Sequence, residues 1–203
     1  MTKIKLCGLK RSRDIEYANE LMPDFIGFVF APKSKRYVSF DEAAELRKKL
    51  NEGIIPVGVF VNEPTENIVS LVNRSIIGIV QLHGSENNEY IKELRSKVNC
   101  TIIQAFRIET EPDIIKAQKS EADYIMLDSG GGTGETFDHS LIRNLKRDFF
   151  LAGGLDSDNV YDAVLKCAPY AVDASSSLET DGVKDKEKMT AFVKAVRNGG
   201  KIK

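Results

Sequence analysis

The stretch KIKLCGLKRSRDIEYANELMPDFIGFVF, residues 3–30, holds one full copy of the pattern that decides the fold. It opens on a run, Lys3 to Cys7, short enough to be a buried strand, and Gly8 marks the turn that follows. Ile15, Ala18, Leu21 and Met22 then recur at helical spacing before a second apolar run, residues 25–30. Strand, helix and strand in such a span predict a βαβ unit, whose two strands lie parallel and are joined by a right-handed crossover.

The same pattern continues outward. Further apolar runs lie at 54–61, 77–82, 101–106, 123–128, 149–152 and 170–173, each bounded by turn residues, which makes eight in all. Between them, Ala43, Ala44, Leu46, Arg47 and Leu50 mark one helix; Ile68, Leu71 and Val72, after an early Pro64, mark the next. Ser39 followed by Glu42 predicts a capping box, and Ser157 or Asp158 predicts a helix start before Val160. Eight strands alternating with helices predict an α/β fold closed into a compact (β/α)8 TIM barrel, with residues 1–203 as one domain. A doubly wound open sheet is the rival, but it carries a Gly-rich fingerprint after its first strand, and here Gly8 stands alone.

Composition narrows the partners. The 203 residues are 42% hydrophobic, enough for one sizeable core, and the net charge is −1. Lys and Arg are spread along the chain, so no basic field for nucleic acid is expected. Cys7, Cys100 and Cys167 have no CxxC spacing, and His83 and His139 complete no metal set. A reduced, metal-free, cytoplasmic protein is expected. No segment approaches the ~20 apolar residues that span a bilayer, so no membrane partner is expected.

In a (β/α)8 barrel the active site forms at the C-terminal strand ends, where the βα loops begin. Cys7, Arg36, His83, Asp128, Gly153-Gly154 and Asp173-Ser175-Ser176 all fall at or just after such ends. Alternation puts Lys3, Lys5 and Cys7 on one face of the first strand, opposite Ile4 and Leu6. Taken alone, Cys7 reads first as a small buried hydrophobe.

The loops after the seventh and eighth runs read LAGGLDSDN and VDASSSLETDG, at the two positions where such barrels often hold phosphate. Gly153, Gly154, Asp173, Ser175 and Ser176 are therefore the candidate phosphate-binding residues, against the plainer reading of a Gly turn and a Ser cap. Arg36 in SKRYVS is the candidate carboxylate receptor, since a guanidinium grips a carboxylate through two parallel hydrogen bonds. Its plainer reading is a solvated arginine beside Lys33 and Lys35. GGGTG at 130–134 lacks the GK[ST] ending of a nucleotide loop and reads as a lid next to Asp128.

In combination, KLCGLKRSRD, GFVFAPKSKRYVS, GVFVN at 58–62, VQLHG at 80–84, LDSGGGTGETFD at 127–138, LAGGL and VDASSSLETDGVKD resemble phosphoribosylanthranilate isomerase of tryptophan biosynthesis, in order and over nearly the whole chain. The resemblance implies a (β/α)8 barrel and an Amadori rearrangement of N-(5-phosphoribosyl)anthranilate to 1-(2-carboxyphenylamino)-1-deoxyribulose 5-phosphate, with no cofactor. It implies Cys7 as general base and Asp128 as general acid, and it puts Gln81 and His83 near the site, binding substrate or supporting a neighbour. A small-molecule phosphosugar substrate and a monomer or weak homodimer are the expected partners.

That chemistry makes opposed demands. An unperturbed thiol titrates near ~8.5 and an aspartic acid near ~3.9, so each starts in the wrong form for its role. Nearby cations favour a thiolate, whereas burial and nearby anions keep a carboxylic acid protonated. Lys5 is expected either to help hold the thiolate or to pair with an inward acid. The family's usual last motif is close to VDVSSGVE; here Ala174, Ser177 and Leu178 depart from it, and His139 stands where a tryptophan commonly follows the FD pair. Two rivals remain: a related phosphosugar isomerase of histidine biosynthesis, which is expected to carry an aspartate at the position of Cys7, and a non-catalytic phosphate-binding barrel.

Overall fold

A computed structural model describes residues 1–129, 139–142 and 145–199. Its eight long strands are β1 (Lys3–Cys7), β2 (Phe25–Val29), β3 (Ile55–Phe60), β4 (Ile79–Leu82), β5 (Thr101–Arg107), β6 (Tyr124–Asp128), β7 (Phe149–Ala152) and β8 (Ala171–Ala174). They pair in sequence order, all parallel, and β8 returns to β1 with Lys5 opposite Asp173, so the barrel is closed. Closure leaves no edge strand among them.

Around the barrel lie α1 (Ser12–Leu21), α2 (Phe40–Lys49), α3 (Thr65–Asn73), α4 (Asn88–Lys97), α5 (Glu111–Gln118), α6 (Val160–Cys167) and α7 (Lys186–Gly199). Between β6 and β7 the described residues include a 3₁₀ turn, His139–Ile142. None of the described helices is long and apolar enough to cross a membrane.

Local signals acted largely as expected. Ser39 and Glu42 cap each other reciprocally at the start of α2. The start of α6 falls one residue later than expected: Asn159 is the cap, and Asp156 accepts from the N–H groups of Asp158 and Asn159. The run at 77–82 becomes a strand only from Ile79. Ile76 and Ile77 are buried for another reason, since the Ile76 N–H donates to the Leu71 carbonyl as α3 ends and both side chains join the helix-facing core.

Two cores result from the alternation along each strand. Ile4, Leu6, Ile26, Phe28, Val80, Leu82, Leu127 and their like face the helices. Phe25, Val57, Ile79, Ile103, Met126 and Phe150 fill the interior, and Tyr124 and Tyr170 pack against them. Rings of Phe25, Tyr124, Phe150 and Tyr170 pack with centroids 4.5–5.7 Å apart, stacked between Tyr124 and Tyr170 and tilted or edge-to-face elsewhere, and plug the end where the strands begin. Inward positions nearer the other end include the polar Lys5, Gln81, Asp128 and Asp173. The barrel thus has an apolar floor and a polar mouth.

Gly58 shows how tightly the outer core is packed, because a Cβ there would lie 2.7 Å from Phe60 Cε2 and 2.8 Å from Ile77 Cδ1. Gly58→Ala is expected to cost about 1–3 kcal/mol and to lower the thermal midpoint, with catalysis unaffected at temperatures where the variant stays folded. Differential scanning calorimetry of the two proteins checks this.

Candidate active site

Cys7 is the last residue of β1, and the chain turns at Gly8, which has φ +79°. The N–H groups of Gly8 and Leu9 both donate to the Gly27 carbonyl, at 2.9 and 3.1 Å, and so fix the loop that carries the thiol. Glycine is required at position 8 twice over. The backbone is left-handed there, and a Cβ would collide with the Arg36 side chain and come within 3.2 Å of Ser175 Oγ. Gly27 has a related duty: its missing Cβ would sit 2.6 Å from Cys7 Sγ and 3.2 Å from Lys5 Nζ.

Lys5 lies one inward position below Cys7, and its side chain is fully enclosed. Its ammonium donates to Asp173 Oδ1 at 2.9 Å and shares with the Cys7 thiol the space over Gly27. Burial alone would lower the lysine, but Asp173 and Cys7 raise it overall, so it carries its proton. Of the two roles expected for Lys5, pairing with an inward acid is thus present. Burial also pushes the Cys7 thiol up; Lys5 pulls it back, and Asp173 adds to the rise. The demand for a depressed thiol is not met in this state, because desolvation outweighs the cation. The Asp173 carboxyl is likewise raised by burial against the pull of Lys5.

Asp128 ends β6, and Gly153 backs it directly. With φ +88° at Gly153, a Cβ would strike Ser129 and lie 2.7 Å from Asp128 Oδ1, so glycine here lets the loop after β7 press against the acid. His83 Nε2 is 3.7 Å from Asp128 Oδ2, and its other nitrogen, Nδ1, is 3.0 Å from Gln81 Nε2. Which of the two nitrogens donates follows from the imidazole tautomer. Through this contact His83 is a neighbour supported from below. Gln81 Oε1 is buried without a hydrogen-bond partner among the described residues.

The anion loops differ in detail from expectation. Asp173 turns its carboxylate into the barrel toward Lys5, not into the loop after β8. The Ser175 hydroxyl donates to the Cys7 carbonyl at 3.0 Å, and that of Ser177 to the Leu155 carbonyl at 2.6 Å. These hydroxyls tie the loop after β8 to β1 and to the loop after β7. Ser176 opens a 3₁₀ turn, Ser176–Leu178, and Gly154, with φ +62°, accepts at its carbonyl from the Asn159 side chain.

Arg36 is half-buried and already paired. Its Nε and Nη2 donate to the two carboxylate oxygens of Glu179 at 2.6 and 2.8 Å. Glu179 stands opposite Lys184 in a small hairpin, β9 (Glu179–Thr180) and β10 (Val183–Lys184), and Lys184 Nζ reaches Glu179 Oε1 at 2.6 Å. Asp181 and Gly182 both have positive φ, so this is a two-residue turn of the primed type that Asp-Gly favours. Burial raises the Glu179 carboxyl, and Arg36 and Lys184 more than reverse that, holding it below its ordinary value. Sequence reasoning passed over Glu179 and Lys184; the TDG turn, flanked by residues of opposite charge, was the available signal.

A guanidinium has two bidentate edges. Glu179 occupies the Nε/Nη2 edge, which leaves the Nη1/Nη2 edge for a second carboxylate. Lys184 is a second basic side chain on Glu179, and burial lowers it against the pull of that carboxylate.

The pattern of N-(5′-phosphoribosyl)anthranilate isomerases matches residues 4–195. The chain belongs to the phosphoribosylanthranilate isomerase family. As a member it is an isomerase, an enzyme of tryptophan biosynthesis. A relative from Caldanaerobacter subterraneus subsp. tengcongensis, named N-(5′-phosphoribosyl)anthranilate isomerase, is 45% identical over 204 residues, 97% of this chain and 98% of its own. The phosphoribosylanthranilate isomerase structure from Thermotoga maritima is 36% identical with a TM-score of 0.90, over 98% of this chain and 100% of that one. A further family structure, in complex with reduced 1-(o-carboxyphenylamino)-1-deoxyribulose 5-phosphate, is 35% identical with a TM-score of 0.88 over the same shares. The family's GGTG segment, here within GGGTG at 130–134, lies outside the described residues.

Removing Glu179 strands the Lys184 ammonium, whose side chain is 1% exposed. Glu179→Ala is expected to cost about 3–5 kcal/mol, measured by urea unfolding at neutral pH. Because the folded-state carboxyl of Glu179 is depressed, its stabilisation is present above the ordinary glutamate value and is lost as pH falls through the folded one. Glu179→Gln should flatten the acid side of the stability–pH curve, and an unchanged acid side contradicts this assignment.

Proposed function

We propose that residues 1–203, as one barrel domain, convert N-(5-phosphoribosyl)anthranilate to 1-(2-carboxyphenylamino)-1-deoxyribulose 5-phosphate with Asp128 as acid and Cys7 as base. Asp128 gives its proton to the ring oxygen; the C1–O bond breaks, and the nitrogen lone pair forms an iminium. Cys7 thiolate then takes the C2 proton, and the C–H electron pair moves into the C1–C2 bond to give an enolamine. Tautomerisation to the ketone completes the rearrangement.

One observation carries this reading: Cys7 and Asp128 end strands of the same closed sheet and share one mouth, with the loops after β2, β7 and β8 gathered around it. The substrate carries a carboxylate and a phosphate. Arg36, through its open edge, receives the first. Gly153, Gly154, Ser175 and Ser176 receive the second, chiefly through backbone N–H groups, since the Ser175 hydroxyl is already committed. Holding both ends fixes the sugar between acid and base. Gln81 orients His83, and His83 steadies the carboxyl of Asp128. The cysteine at position 7 speaks against the histidine-pathway isomerase, and the acid–base pair against a barrel that only binds. A phosphosugar substrate, no nucleic-acid or membrane partner, a monomer or weak homodimer and a cytoplasmic setting complete the proposal, in keeping with a net charge of −1 and no long apolar segment.

Loss of phosphoribosylanthranilate fluorescence reports turnover. Cys7→Ser and Asp128→Asn should each lower kcat by about 10²–10⁴ with little change in KM, and full activity in either sinks the assignment. Arg36→Met should instead act mainly through KM. As burial raises the Cys7 thiol and the base must be deprotonated, kcat/KM should climb with pH into the range above an ordinary thiol; a plateau already reached in mild acid would contradict Cys7 as base.

A further inference from the structure

Lys5 stands inside the barrel at a cost. A fully enclosed ammonium loses several kcal/mol of hydration, and a buried ion pair is commonly no more stabilising than an apolar pair of the same volume. A pairing role for Asp173 alone would need only one of the three lysine N–H donors. The geometry supplies a second recipient. Lys5 and Cys7 occupy successive inward positions of β1, and both the ammonium and the thiol crowd the space over Gly27, where the missing Cβ would lie 3.2 Å from one and 2.6 Å from the other. Asp173, cross-strand neighbour of Lys5 on β8, holds the ammonium from the far side at 2.9 Å.

We propose that Lys5 is a positioning residue for proton abstraction: anchored by Asp173, its ammonium donates to Cys7 Sγ and sets the pH at which the thiol becomes the base. This rests on the reading of Cys7 as base. The thiol gives its proton to water ahead of turnover, and the negative charge left on sulfur is met by the ammonium. The charged groups acting on Cys7 are Lys5 on its own strand, Asp173 on β8, Lys184 on β10 and Arg36 after β2. Asp128 and His83 act on Asp173 from the other side of the mouth. Lys5, whose ammonium flanks the missing Cβ of Gly27 together with the thiol, favours the thiolate and Asp173 opposes it, so the two make predictions of opposite sign.

The rate of Cys7 alkylation by iodoacetamide, followed peptide by peptide by mass spectrometry across pH, reads the thiolate whether or not Cys7 is the base. Lys5→Met should move the midpoint upward by about one pH unit or more, tenfold less thiolate at a given pH below it. The lower limb of the kcat/KM profile should move with it. Asp173→Asn, close to isosteric, should move both downward. Should Lys5→Met alone fail to fold, Asp173→Asn is compared with the uncharged double variant Lys5→Met/Asp173→Asn, whose midpoint should be at least one unit higher. An unmoved midpoint in folded Lys5→Met, or equal midpoints in the second comparison, overturns the proposal. A uniform fall in kcat/KM with its limb in place would also overturn it, since that is what a merely structural lysine would give. Failure of the base assignment shows separately, as full activity of Cys7→Ser.

Discussion

The barrel depends on the seam where β8 lies beside β1. Parallel strands acquire no closed sheet until this last pairing is made, and at the seam the residues opposite each other are Lys5 and Asp173. A carboxylate and an ammonium facing one another in a space closed to water are a strong constraint on register. A one-residue slip of β8 would turn Asp173 outward into the helix layer and leave the lysine without its partner.

Above the seam, a second set of charges joins elements distant along the chain. Arg36 comes from the loop after β2, Glu179 and Lys184 from the hairpin after β8, and they meet across Gly8. The glycines at 8, 27 and 153 are the complement of these side chains, each leaving a volume that a neighbouring functional group fills. Below, the aromatic floor closes the other end. Floor and mouth share strands yet little else, so apolar packing there and polar chemistry here are separately adjustable.

The fold was legible because its signals are short-range. Period-two alternation within runs and helical spacing between them depend on neighbours in sequence, and β1 to β8 fell where those patterns lay, apart from ends such as Ile77–Gly78. The positions of Cys7, Asp128 and Arg36 followed from strand ends alone. What side chains do at those positions was less legible. Arg36 was expected to await a carboxylate and already holds one, because Glu179 is distant in sequence and reaches it only through the closed barrel. Asp173 sat in a Ser-rich phosphate-type motif, yet strand alternation turned it inward. The hydroxyl of Ser175 was expected to face an anion and instead braces the Cys7 carbonyl. The thiol was expected to be depressed by a cation; the cation is there, but desolvation is stronger.

The Lys5–Asp173 contact joins residues 168 positions apart. Such a contact carries a large loop-closure cost, and contacts of that kind form late in folding. The strand that carries Cys7 is made before Asp173, which pairs with Lys5, and before Ser175, whose hydroxyl braces the Cys7 carbonyl. Nascent or truncated chains therefore hold the thiol before they hold its surroundings. Lys5 and Cys7 gain their neighbours across the seam only when β8 and the segment after it dock on β1.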